Sequence, residues 1–190
     1  MILLIHKILN FMVNILSKIP VKIRDNALSQ ILNSFLSQYK QLSRRGRIFG
    51  LALVDQDAKV LAVNSFFHNS LNFWDIGAIG AALHGVGKQG RDFFHAKTIH
   101  RASLIFQEKQ FFVHMIGAIN FPSQKSRELL LISIGSNLNI GLIIMMMKKN
   151  AEKIKNIVRQ DQISQSTLKM SEDEFQKHIY TLRKEMFNIG

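Results

Sequence analysis

A glycine-rich run and a set of scattered histidines are the residues of this sequence most suggestive of chemistry. Gly85-Val86-Gly87-Lys88-Gln89-Gly90 has the GxGxxG spacing of a dinucleotide-binding loop. Such a loop joins the end of a strand to the start of a helix, where free amides can surround a pyrophosphate. Here the run follows a helical pattern, and Gln89 stands where a P-loop has Ser or Thr. It therefore predicts the C-cap of a helix.

The candidate metal ligands and nucleophiles also lack their usual context. His84, His95, His100 and His114 form no pair of helical zinc ligands with an adjacent Glu. The absence of cysteine excludes disulfides, thiolate metal sites and cysteine nucleophiles. Ser136 lacks a nucleophile-elbow setting, and no motif contains paired carboxylates. The sequence predicts no catalytic residue, no metal site and no cofactor.

Composition indicates a folded, basic protein. The chain has 190 residues, 47% of them hydrophobic, which is enough for one domain with extensions. Its net charge of +12 is concentrated at the ends: residues 1–50 hold eight Lys or Arg and one Asp, whereas residues 51–100 hold four of each sign. A nucleic-acid-binding domain more often spreads basic residues over one face among exposed aromatics. Nucleic-acid binding is therefore a distant alternative, and a cytoplasmic location is expected.

The N-terminal segment predicts an amphipathic helix over Leu4 to Ile19, ended by Pro20. Its polar residues are too frequent for a membrane-spanning helix, and no signal-peptide cleavage pattern follows. The helix either packs on protein or lies in a membrane interface. In the second case four basic side chains would face anionic lipid: Lys7, Lys18, Lys22 and Arg24.

The central region alternates helices with pairs of strands. Leu28 to Leu42 has helical apolar spacing. Strands are predicted at 49–54 and 59–64, at 98–106 and 111–117, and at 129–134. The first four form two hairpins around short polar turns, and the last is an unbroken apolar run typical of a strand buried on both faces. A closing amphipathic helix follows from Leu142 to Val158.

The C-terminal region predicts a separate helix. Ser171 and Glu174 have the spacing of a capping box, and apolar residues then recur at helical intervals. The polar stretch from Gln160 to Thr167 reads as a linker. It would let this helix pack either on the domain or on another protein.

The helix predicted from about Asn72 to Lys88 is unusual for its small residues. Each internal glycine costs about 1 kcal/mol relative to alanine, so a close approach of two backbones should offset the penalty. Packing against an identical helix across a two-fold axis would provide that approach, and tight packing on the chain's own sheet is the alternative. The predicted dimer-interface residues are Gly77, Ala78, Ala81, Ala82 and Gly85.

This order of elements resembles the roadblock/LC7 (dynein light chain, MglB-like) family. The residues that carry the resemblance are GLALVDQDAKVLAVNS at 50–65, DIGAIGAALHGVGKQG at 75–90 and LLLISIGSNLNIGLIIMMMKKNAEKI at 129–154. The family commonly has glycine after the hairpin acids, where this chain has Ala58. The resemblance implies an α+β fold of the roadblock/longin-like sandwich type, with a central five-stranded, mostly antiparallel sheet flanked by helices.

The resemblance also implies an organisation and a function. We expect an N-terminal amphipathic helix at 1–22, a roadblock-like domain at 26–158 and a C-terminal helical extension at 165–190. Such domains form homodimers or heterodimers through their second helix and third strand, and serve as scaffolds or activators for small Ras-like GTPases without an active site of their own. The alternative is a profilin-like or longin-like adaptor in a trafficking or motor complex that contacts no GTPase. The N-terminal helix could hold either protein peripherally at a membrane.

Overall fold

The computed structural model describes residues 19–67, 71–122 and 124–187. The predicted helix from Leu4 to Ile19 therefore lies outside the described residues, except for its last residue. The helices are α1 (Val21–Arg24), α2 (Ala27–Leu42), α3 (Phe73–Phe93), α4 (Ile140–Gln160), α5 (Gln162–Lys169) and α6 (Glu172–Phe187). The strands are β1 (Arg47–Asp55), β2 (Val60–Val63), β3 (Arg101–Ile105), β4 (Gln110–Phe121) and β5 (Gln124–Ser136).

The five strands form one antiparallel sheet in the order β2-β1-β5-β4-β3. β5 lies at the centre, paired with β1 on one side and β4 on the other. Its segment from Leu129 to Ile134 is buried throughout, which confirms the prediction of a strand covered on both faces. Both predicted hairpins are present as β1–β2 and β3–β4. The predicted α+β sheet architecture is thus confirmed.

Helices cover the two faces of the sheet. Alternate residues of β5 point to opposite sides, so Leu129 and Leu131 pack with α2 and α4, whereas Leu130 and Ile132 pack beneath α3. The α3 layer also contains buried side chains of α6. This three-layer arrangement leaves the outer side of α3 and the outer sides of α2 and α4 as opposite surfaces of the molecule.

Polar caps begin the helices at the expected places. The Asn139 side chain accepts a hydrogen bond from the Leu142 amide at 3.0 Å, and Ser171 and Glu174 form the predicted capping box. β4 and β5 are longer than the predicted strands at 111–117 and 129–134, and two predictions about helix ends were wrong. α3 continues through the glycine-rich run to Phe93, so that run is not a C-cap. The predicted linker from Gln160 to Thr167 is largely α5, which begins where Asp161 accepts from the Ser164 amide at 2.7 Å.

The C-terminal helices pack on the domain. Phe175, Ile179 and Leu182 of α6 are buried, and the Phe175 ring lies edge-on to Trp74 at a centroid distance of 6.2 Å. This arrangement corresponds to the self-packing alternative for the C-terminal region. It places the extension beside the N-terminal half of α3.

Candidate interaction surface

The glycines of α3 divide the helix into an inner and an outer side. A Cβ atom built on Gly80 would lie 2.3 Å from Ile132 Cδ1, and one on Gly77 would lie 3.2 Å from Val60 Cγ2. Both glycines are therefore sites of close approach to the chain's own sheet, and that packing offsets their helix-propensity cost. Gly77 is buried in this contact, so it is not available to another chain.

The other predicted interface residues lie at or near the outer side. Ala78 and Ala82 are exposed, and Ala81 and Gly85 are partly buried. A Cβ on Gly85 would meet no atom of the described residues within 4 Å. The stripe of small residues thus serves two purposes: its glycines at 77 and 80 face the sheet, while its alanines lie on or beside a free surface.

Larger apolar side chains extend this free surface along α3. Ile79 is 44% exposed, Val86 64% and Phe93 78%, and all three recur at helical spacing on the outer side. Ile76 and Leu83, each three residues before one of the exposed residues Ile79 and Val86, are partly buried. A lone apolar residue at a protein surface is common, whereas contiguous exposed apolar patches are a general feature of interaction sites.

The edge strand β3 adds to the surface. Among the described residues β3 pairs with β4 alone, so its other edge has no strand partner within that part of the chain. The chain leading into β3 approaches α3, because a Cβ on Gly87 would lie 2.0 Å from Ile99 Cδ1. The apolar surface is defined here by exposed residues of α3, of β3 on the same face of the sheet, and of their adjoining turns: Ala78, Ile79, Ala82, Val86, Phe93, Phe94, Leu104 and Phe106.

A polar cluster fixes α3 on the sheet beneath this surface. His84 Nε2 lies 2.7 Å from Glu128 Oε2, and Lys88 Nζ donates to both Glu128 oxygens at 3.1 and 3.2 Å. Burial alone would raise the pKa of Glu128, but hydrogen bonds from His84 and Lys88 outweigh it, so the pKa is lowered. The sequence signal for this cluster, a His and a Lys four residues apart on one helical face, was not recognised from the sequence.

A second buried polar group joins the β1–β2 turn to the C-terminal extension. Asp55 Oδ1 accepts from the amides of Asp57 and Lys59 at 2.9 and 2.8 Å. Lys59 is 1% exposed, and its Nζ donates to the carbonyl oxygens of Leu168 and Met170 at 3.2 and 2.6 Å. These carbonyls end α5, where a cation also interacts favourably with the helix dipole. Sequence reasoning assigned no role to Lys59.

The same turn contains Ala58, at the position where the sequence resemblance led us to expect a glycine. Ala58 has a φ of 66°, in the left-handed region that favours glycine. The turn therefore keeps its left-handed conformation with alanine, at a cost in backbone strain.

The histidines considered as metal ligands lie in different parts of the fold. His95 and His100 are exposed, His84 belongs to the Glu128 cluster, and His114 is buried in β4. Burial lowers the pKa of His114 to about 4, with a further contribution from Arg101. Within the described ranges, no group of three or more His, Cys, Asp or Glu side chains is placed to hold a metal ion.

The structure describes two of the four residues proposed for membrane contact. Lys7 and Lys18 lie outside the described residues. Lys22 is exposed on α1, and Arg24 forms an ion pair with Asp25 at 3.1 Å. Of the helices in the described parts of the chain, none combines the length and apolar character needed to cross a membrane.

Comparisons with known proteins identify the fold. No family model matches the sequence, and no curated protein matches it. A roadblock/LC7 domain from Streptomyces avermitilis superimposes with a TM-score of 0.52 at 14% identity, covering 67% of this chain and 98% of that domain. The gliding protein MglB from Thermus thermophilus gives 0.54 at 12% identity, covering 75% and 99%. Myxococcus xanthus MglB gives 0.52 at 11% identity, covering 70% and 96%. The predicted resemblance to roadblock/LC7 domains is confirmed for the fold.

Proposed function

We propose that this roadblock-like chain is a noncatalytic cytoplasmic regulator or scaffold, which dimerises through the apolar surface and binds a small Ras-like GTPase. The observation that carries the proposal is the exposure of large apolar side chains on the outer side of α3 and along the edge strand β3. These are the second long helix and the third strand of the fold, which the resemblance assigns to the dimer interface.

Physical chemistry supports a self-complementary contact at this surface. Full burial of a side chain such as Ile79 or Val86 contributes about 1.5–3 kcal/mol. The backbone N–H and C=O groups on the outer edge of β3 have no strand partner among the described residues, and a strand of a second copy could hydrogen-bond to them. In a two-fold symmetric dimer the apolar surface of one subunit meets the same surface of the other, so the apolar side chains and the β3 edge could both be buried in one contact. One MglB structure that shares this fold has a tetrameric arrangement, at a TM-score of 0.53 and 12% identity.

The GTPase would bind to the paired α3 helices and neighbouring loops, and the chemistry would stay in that partner. The second subunit is either another copy of this chain or another roadblock subunit. The N-terminal amphipathic segment, with Lys7, Lys18, Lys22 and Arg24, would hold the dimer at an anionic membrane surface.

A pair of valines provides a controlled test of the dimer. Val86 on α3 is 64% exposed and Val21 on α1 is 62% exposed, so glutamate is equally accessible to solvent at either place in the monomer. We expect Val86→Glu to remove the dimer at micromolar concentration, because two carboxylates would be buried near the two-fold axis. Val21→Glu should leave it intact. Sedimentation velocity measures the result, and a monomeric wild type would contradict the proposal.

Capture from the native lysate tests the GTPase contact. Full-length wild type should retain a Ras-like GTPase that mass spectrometry identifies, and Val86→Glu should retain less of it. The purified GTPase is then assayed for binding in its GDP and GTP forms. Dimeric wild type that repeatedly captures no GTPase would favour the adaptor function instead.

A further inference from the structure

Charge is divided unequally between the two helical faces of the molecule. The segments that contain α2 and α4, residues 27–50 and 140–160, hold nine Lys or Arg and one Glu, a net charge of +8. On the opposite face, residues 73–93 of α3 hold two basic and two acidic residues. Residues 172–187 of α6 hold three basic and four acidic residues. The positive charge of the folded part is therefore concentrated on the layer that does not carry the apolar surface.

The basic side chains of this layer have few counterions. Lys148, Lys149 and Lys153 are exposed on α4, and none of them forms an ion pair with another described residue. Lys155 is the exception, since it pairs with Glu152 at 2.5 Å. Uncompensated like charges close together raise the free energy of the isolated protein and favour an anionic partner.

A second basic group continues the same surface. Tyr39 Oη accepts from the Asn139 amide at 2.8 Å, which places the C-terminus of α2 beside the N-terminus of α4. The exposed cations after Tyr39 also lack ion pairs to described residues. The basic face is defined by Lys40, Arg44, Arg45, Lys148, Lys149 and Lys153.

The apolar residues within this face favour a lipid partner over a nucleic acid. Leu42 is 59% exposed and Met145 57% exposed, so an aliphatic side chain accompanies each basic group. No aromatic side chain of α2 or α4 is exposed, whereas nucleic-acid surfaces commonly stack bases on aromatics. In helices that bind a membrane interface, basic residues contact anionic headgroups while apolar side chains insert below them.

We propose that the basic face binds the surface of a bilayer that contains anionic phospholipids, with Leu42 and Met145 reaching below the headgroups. The apolar surface lies on the opposite layer, so membrane contact leaves it free for the dimer and the GTPase. This inference rests on residues separate from those of the proposed function, and also separate from the N-terminal segment.

Charge-reversal variants of the full-length chain test the basic face. The test variant is Lys148→Glu/Lys149→Glu/Lys153→Glu. The control Lys97→Glu/Lys109→Glu/Lys177→Glu makes the same change in net charge at exposed lysines outside α2 and α4. The probes are phosphatidylcholine vesicles with and without phosphatidylserine. Wild type should sediment only with the anionic vesicles, and less at high salt. The test variant should bind at least on the order of 100-fold more weakly, and the control within a few-fold of wild type.

Three results would overturn the proposal. The first is equal loss of binding in both triple variants, which would reflect net charge alone. The second is a loss in Lys7→Glu/Lys18→Glu with none in the test variant, which would assign binding to the N-terminus. The third is binding of duplex DNA, but not of vesicles, through the same lysines. Circular dichroism and sedimentation of each variant show that fold and dimer persist, so failure here is distinguishable from failure of the proposed function.

Discussion

Two buried titratable side chains affect stability in opposite directions over the same pH range. Burial raises the pKa of Asp55 from 3.8 to about 6, although the amide and charge of Lys59 oppose the shift. The folded state therefore binds this proton more readily than the unfolded state, and the Asp55 contribution to stability falls as pH rises from about 4 to about 6. His114 does the reverse: its pKa falls from 6.5 to about 4, so its contribution rises with pH over that range.

Replacing either Asp55 or His114 by an uncharged residue should leave the pH dependence of stability that the other one causes. Each shift of about two pKa units corresponds to roughly 3 kcal/mol. With His114→Gln, the free energy of unfolding should fall from pH 4 to pH 6 by about 2–3 kcal/mol relative to wild type. With Asp55→Asn, the free energy of unfolding should instead rise from pH 4 to pH 6 by a similar amount relative to wild type. Urea denaturation at both pH values measures this, and parallel pH profiles for the two variants would contradict it.

Replacement by alanine should have opposite effects on stability at two glycines of α3. A methyl group at Gly80 would overlap Ile132, which is fully buried and cannot move freely, so Gly80→Ala should destabilise the fold by about 1–2 kcal/mol. Gly85 has open space around it, so Gly85→Ala should gain about 0.5–1 kcal/mol of helix propensity. Denaturant midpoints of the two variants provide the comparison. Equal effects would mean that Gly80 does not set the distance between helix and sheet.

Elements with a strong apolar period were predictable from the sequence, and elements defined by local polar contacts were not. α2, both hairpins and the central strand follow directly from their patterns. α5 was missed because its eight residues are mostly polar and its stability depends on the Asp161 cap and on contact with Lys59. The side of α3 that faces the sheet could not be predicted, because both sides carry apolar and small residues.

The contact between Lys59 and α5 should control the whole C-terminal extension. Lys59→Met keeps most of the side-chain volume but leaves the carbonyls of Leu168 and Met170 without a donor, at a cost of about 1–3 kcal/mol. We expect amides in 162–182 to exchange hydrogen faster, with little change in β5. Lys97→Met, at an exposed lysine, is the control. Unchanged exchange in the extension would show that the buried α6 side chains hold it alone.

At the scale of the whole molecule, folding collects charge that is dispersed in the sequence. The basic residues after α2 and those of α4 are separated by about a hundred positions, yet they share one layer because the intervening strands bring the two helices together. Charge counts by sequence segment assigned the positive charge only to the ends of the chain. The fold instead gives two surfaces of different chemistry, one apolar and near neutral, and one basic.

Dimerisation through the apolar surface should make thermal stability depend on protein concentration. A partner that binds only the folded state stabilises it by mass action, so the wild-type Tm should rise with each tenfold increase in concentration. Val86→Glu should have a lower Tm that is independent of concentration, because its monomer keeps the core but loses the partner. Val21→Glu, equally exposed but distant from α3 in sequence, should behave as wild type. Differential scanning calorimetry over a hundredfold range of concentration measures this dependence. A wild-type Tm that stays constant would show that the exposed residues of α3 and β3 do not stabilise the fold through a second copy.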